Sequence, residues 1–134
     1  MTPGRGKHVK FRVYAFAFLG LALALPAVAQ EGHPFKGTWR GEIAMPGGPQ
    51  AIVIIMNYDG DNITGMINPG RRSFNFTSSE LDAPNWRLSA SATTRDGITV
   101  ALNGMLHDIG AKNRYIDGDW EQGGASYPFR ITRE

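Results

Sequence analysis

The sequence predicts an all-β protein, a small eight-stranded antiparallel up-and-down barrel behind an N-terminal signal peptide. Three observations predict it. Beyond residue 29, short runs of alternating apolar and polar residues recur between breaks rich in Gly, Pro and Asp, the pattern of half-buried strands joined by turns. No stretch there carries the i, i+3, i+4 apolar spacing of an amphipathic helix. Every connection is short, which makes consecutive strands antiparallel neighbours, because parallel pairing needs long crossovers. An eight-stranded meander can close on itself and remove its edges. A sandwich with Greek-key connections is the alternative.

The chain begins with Arg5, Lys7, Lys10 and Arg12 and no acid, followed by an apolar run from Val13 to Leu25, Pro26, and Ala27-Val28-Ala29. A basic start, an apolar middle and a small-x-small end describe a secretory signal peptide over residues 1–29. A membrane anchor is the competing reading. The apolar run falls short of the ~20 residues that span a bilayer, and Pro26 interrupts a helix there. The chain has no cysteine, which excludes a lipoprotein anchor and any disulfide. Cleavage after Ala29 leaves one β-barrel domain, residues 30–134, in the periplasm or the medium, with no membrane span.

Removing the leader reverses the charge. The chain has fourteen Lys and Arg and twelve Asp and Glu. Four of the basic residues and none of the acids lie before residue 30, so the remainder carries ten against twelve, net −2. The basic balance belongs to the leader, and no polybasic run remains to recruit nucleic acid.

Gly37 to Met45 alternates, with Trp39, Gly41, Ile43 and Met45 on one face. Pro46-Gly47-Gly48-Pro49 ends it. Ala51 to Tyr58 is apolar on both faces and reads as a central strand. Asp59-Gly60-Asp61 makes a hairpin turn. Ile63 to Asn68 and Arg72 to Ser79 are the third and fourth strands, with a loop from Glu80 to Asn85. Trp86, Leu88, Ala90 and Ala92 alternate in the fifth, and Arg95-Asp96-Gly97 turns the chain. Ile98 to Leu106 is the sixth. His107 to Arg114 is the longest connection, with room for one helical turn. Tyr115 to Glu121 and Ser126 to Arg133 complete the set around Gln122-Gly123-Gly124.

Closure brings the last strand beside the first. Tyr127, Phe129, Ile131 and Arg133 share one phase, and the apolar members turn it inward, so Arg133 arrives near Trp39. A guanidinium can lie on an indole face there. Gly37-Thr38-Trp39 on the first strand with Arg133 on the last resembles the calycins, the group of lipocalins, fatty-acid-binding proteins and avidins. The resemblance implies a closed barrel, with Gly37, Trp39 and Arg133 as structural residues. The chain is nearer in length to an avidin than to a lipocalin, and the polar biotin-binding set of avidins is absent. Asn113-Arg114-x-Ile116-x-Gly118-x-Trp120-x-x-Gly123-Gly124, then Phe129-x-Ile131-x-Arg133, resembles a set of small secreted bacterial proteins. That likeness implies fold and export and adds no chemistry.

Candidate chemistry is sparse. His107-Asp108 is the sole His-acid neighbour pair, and a metal or catalytic role needs further ligands at defined geometry. Asp59-Gly60-Asp61-Asn62 lacks the later ligands of a calcium loop. Asp117, Asp119 and Glu121 share an outward face. No nucleophile elbow, phosphate loop or cofactor motif is present, and the chain reads as a non-enzyme without cofactor. Two partner classes remain, a small apolar ligand and a protein, as a periplasmic protease or lysozyme inhibitor would bind; a structural envelope module without a ligand is the third reading. In a meander the odd-numbered turns gather at one end. The inward residues nearest that end are Met45, Phe74, Trp120 and Tyr127, a set suited to a flat apolar ligand. The competing reading is that they simply fill the barrel.

Overall fold

A computed structural model describes residues 32–134. The expected leader, residues 1–29, lies outside the described residues. Pro34–Glu134 forms one compact unit. Its strands are β1 Gly37–Met45, β2 Gly48–Tyr58, β3 Ile63–Ile67, β4 Phe74–Asp82, β5 Arg87–Thr93, β6 Thr99–His107, β7 Tyr115–Gln122 and β8 Ala125–Arg133. They pair in chain order and close β1 on β8, all antiparallel, with Trp39 opposite Arg133 and Ile43 opposite Phe129. The up-and-down barrel is therefore the fold, and the Greek-key alternative falls away. In a closed barrel every strand has two neighbours, so β2 is not central. Its second apolar face is explained by the outer surface, where Ile55 lies across from Met66.

The period-two pattern works as the strand geometry requires. Trp39 and Ile43 of β1, Ile52, Ile54 and Met56 of β2, Ile63 and Ile67 of β3, and Ile116 and Trp120 of β7 all point inward and are buried. No charged or polar side chain joins them among the described residues. β4 departs from simple alternation. A bulge between Phe76 and Ser78 shifts its register against β5, and inward positions run Phe74, Phe76, then Ser79 and Leu81. That extra residue lets β4 continue to Asp82, through the stretch expected as a loop. Only residues 83–86 leave the sheet, Ala83–Asn85 as one 3-10 turn. Trp86 follows with φ 51° and stands outside β5 rather than opening it. The connection from residue 108 to 114 holds turns and no helix.

Two glycines let strands approach more closely than side chains allow. A Cβ on Gly41 would collide with the Arg130 carbonyl oxygen of β8 and lie 2.7 Å from Ile131 Cα. A Cβ on Gly118 would likewise collide with Asn103 O and lie 2.8 Å from Gly104 Cα of β6. In both places the neighbour's backbone fills the space a side chain would need.

Candidate functional site

The two ends of the barrel differ. At the even-turn end the chain ahead of β1 folds in as a plug. Phe35 is fully buried and meets Trp86 with ring centroids 6.2 Å apart. Trp39 is fully buried too, and its indole N–H donates to Phe35 O at 2.9 Å. Arg114 Nε donates to Pro34 O and Arg133 Nε to Lys36 O, each at 2.7 Å. The Arg133 N–H donates to Arg114 O at 2.9 Å. Partial burial, and then the charge of Arg133 nearby, hold the Arg114 guanidinium below its ordinary pKa. Arg133 thus reaches the Trp39 end of the barrel as expected from phase. Its guanidinium binds a backbone carbonyl instead of lying on the indole. The space is available because position 37 is glycine with φ 140°, whose Cβ would stand 2.5 Å from Arg133 Nε.

The odd-turn end is open. A cavity of about 580 Å³ lies there. Ile43, Ile52, Phe74, Val100 and Trp120 supply its apolar wall, with Ile98 beside them. Gln50, Asn68, Arg72, Thr94, Arg95, Asp96 and Gln122 supply the polar part. Of the four residues expected at this mouth, Phe74 and Trp120 stand in the wall. Met45 and Tyr127 are half-buried and pack against the core without joining it. Trp120 is only 4% exposed, a floor residue more than a rim residue. Its indole N–H donates to Gln122 Oε1 at 3.0 Å. Asn68, at φ 50°, turns its side chain back so that Oδ1 accepts from the Val53 N–H at 3.2 Å.

Arg95 was legible as a turn residue and Arg72 as the first residue of the fourth strand, but neither as lining. Turn parity already places Arg95 at this end, and the start of the fourth strand brings Arg72 there; what was missed is that both side chains face the cavity. Gln122 shares the Trp120 face of β7 two residues on and accepts the indole hydrogen bond.

The outer surface holds a second cluster. His107 Nε2 and Asp117 Oδ1 are 2.7 Å apart, and Arg130 lies 3.5 Å from Asp117 Oδ2. Tyr115 stacks on His107 at 4.8 Å between ring centroids, and the Arg130 guanidinium sits 4.2 Å from the Tyr115 ring centroid. The partner of His107 is therefore Asp117 across β6 and β7, not its neighbour Asp108, which turns the chain with φ 56°. These groups are about one-third exposed or more, and such pairs contribute little to stability. Beside them a groove of about 770 Å³ crosses β7, β8 and β1, walled by Arg40, Glu42, Asp117, Pro128 and Arg130 among others. Arg40 is held by Glu134. Asp119 and Glu121 are outward on β7, as their phase required.

Asp59 makes a turn, with Oδ1 accepting from the N–H groups of Asp61 and Asn62 at 3.0 and 2.7 Å. Those backbone bonds lower the Asp59 pKa. Among the described residues no group of three or more His, Cys, Asp or Glu side chains is placed to hold a metal ion.

No family model matches the chain, and neither does any curated protein or solved structure. The site must be read from its own geometry.

Proposed function

We propose that this protein is an exported binding barrel that holds a small, flat, apolar ligand in the cavity at its odd-turn end. The observation that carries the reading is that cavity, about 580 Å³ with an aliphatic and aromatic wall drawn from five strands. Its volume falls in the usual ~300–1,000 Å³ range of small-molecule sites. One end is plugged by Phe35, Trp39 and Trp86, so the ligand enters from the other. Binding rather than catalysis is the role, because the wall offers no nucleophile beside a base. We read the barrel as calycin-like, on the pairing of Trp39 with Arg133 and the close fit of Gly37 under that arginine.

Trp120 is the reporter for this reading. Flat aromatic compounds should quench part of the tryptophan fluorescence saturably, and Trp120→Ala should remove that part. Phe74→Ala, at a half-buried position, should weaken binding several-fold while the protein still melts cooperatively. A wild type without saturable quenching across a ligand screen refutes the site and returns these side chains to core filling. Native mass spectrometry of the purified protein would name a co-purified ligand directly.

Export rests on the basic, apolar and small-residue order of residues 1–29. The released protein should begin at Gln30, and its intact mass should show the loss of those residues. An uncut chain recovered with membranes would overturn export.

A protein-binding barrel is the second reading, favoured by the charged groove over β7, β8 and β1. A pull-down from periplasmic extract separates it from the first.

A further inference from the structure

We propose that the ligand carries an anionic group, a carboxylate or a sulfonate on its flat apolar body, and that Arg72 and Arg95 receive it at the rim. The proposal rests on the open-end cavity being the ligand site. Both arginines line that cavity, above the wall formed by Phe74, Val100 and Trp120. Arg95 Nε donates to Ser73 O at 3.3 Å. This bond ties the β5–β6 turn to the β3–β4 turn and brings Arg95 to the residue next to Arg72. It occupies one of the five N–H donors of the guanidinium and leaves the terminal nitrogens for a ligand. Arg72 makes no hydrogen bond or ion pair within the described residues. Asp96 is the acid of the cavity wall, and it pairs with neither arginine.

Charge is segregated in the same direction. The turns at the open end carry Arg71, Arg72 and Arg95 against Asp96, net +2, on a chain that is net −2 beyond residue 29. A concave site whose border is net positive concentrates anionic ligands. Inside the cavity the Trp120 N–H is already taken by Gln122, so orientation of a polar ligand group falls to the rim. Arginine suits that task, since its planar fork meets the two oxygens of an acid group together.

The test compares two dyes that differ in charge, 1-anilinonaphthalene-8-sulfonate and neutral N-phenyl-1-naphthylamine, titrated into the full mature chain. The sulfonate should bind one-to-one and about tenfold more tightly at low salt, the effect of a charge-assisted hydrogen bond. The gap should shrink near 1 M salt, where the screening length is only ~3 Å. In Arg72→Gln/Arg95→Gln the sulfonate should lose its advantage, so that the ratio of the two dyes' affinities falls from about ten to about one. Should that variant melt without cooperativity, the salt dependence of the wild type decides alone. Equal affinity of the two dyes for the wild type, or a preference kept by the double variant, overturns the anionic ligand and leaves the cavity standing. Failure of both dyes to bind saturably refutes the cavity itself, and the rim assignment with it.

Discussion

Trp39→Ala should cost about 3–5 kcal/mol of folding stability, the usual effect of removing a large buried aromatic side chain. Trp39 is fully buried at the crossing of three structures. It pairs with Ile54 on β2 and with Arg133 on β8, and its N–H holds the Phe35 carbonyl. Truncation opens a cavity beneath the plug and frees the chain that Arg114 and Arg133 clamp. Against a typical total of ~5–15 kcal/mol, the loss is a large fraction. For a domain of this size it should lower the melting temperature by more than about 10 °C. A thermal scan showing a shift of a degree or two would mean that Trp39 is not the floor of a closed end.

Gly41→Ala should be of comparable severity, though it adds one methyl group and removes nothing. Ordinary overpacking costs ~1–3 kcal/mol because side chains shift to make room. Here the obstacles are the Arg130 carbonyl and the Ile131 Cα, which are backbone and cannot rotate away. Relief requires separating β1 from β8, the pairing that closes the barrel. The expected loss is therefore about 3 kcal/mol or more, at the top of that range. Gly47→Ala is the control, since a Cβ there meets nothing within 4 Å. Urea unfolding of the two variants side by side decides the matter: equal midpoints would show that β1 and β8 do not approach as described.

The strands were legible because each is half-buried. One side of β1, β3, β5 and β6 must be apolar and the other must face water, so sequence alternation reports the phase directly. Turn chemistry at Asp59-Gly60 and Gly123-Gly124 then separates the segments. The end of β4 was not legible. A bulge breaks the period at Thr77 and Ser78, so the alternation on which the reading depends is interrupted inside the strand. Phe35 was missed as core for a related reason. It shares the phase of Gly37 and Trp39 but stands ahead of β1, and its burial comes from folding back under Trp86 and Trp39.

The site divides in the same way. Phe74 and Trp120 were found because inward phase and nearness to a turn are properties of a single strand. Arg72 lies ahead of β4 and Arg95 after β5, and the antiparallel pairing of those two strands, not any local period, brings both to one rim. His107 looked toward Asp108 in the sequence, yet extended neighbours point apart, and the cross-strand register gave it Asp117 instead.

Local information thus determined the strand count and, β4 apart, the phase of the strands and most of the inward residues, because these depend on periods of two and on turns of a few residues. The tertiary structure alone decided closure, the use of Arg133 as a carbonyl clamp, and the turning of Arg72 and Arg95 onto one apolar cavity. Those features depend on which backbones lie side by side, a relation between residues far apart in the chain that no local period encodes.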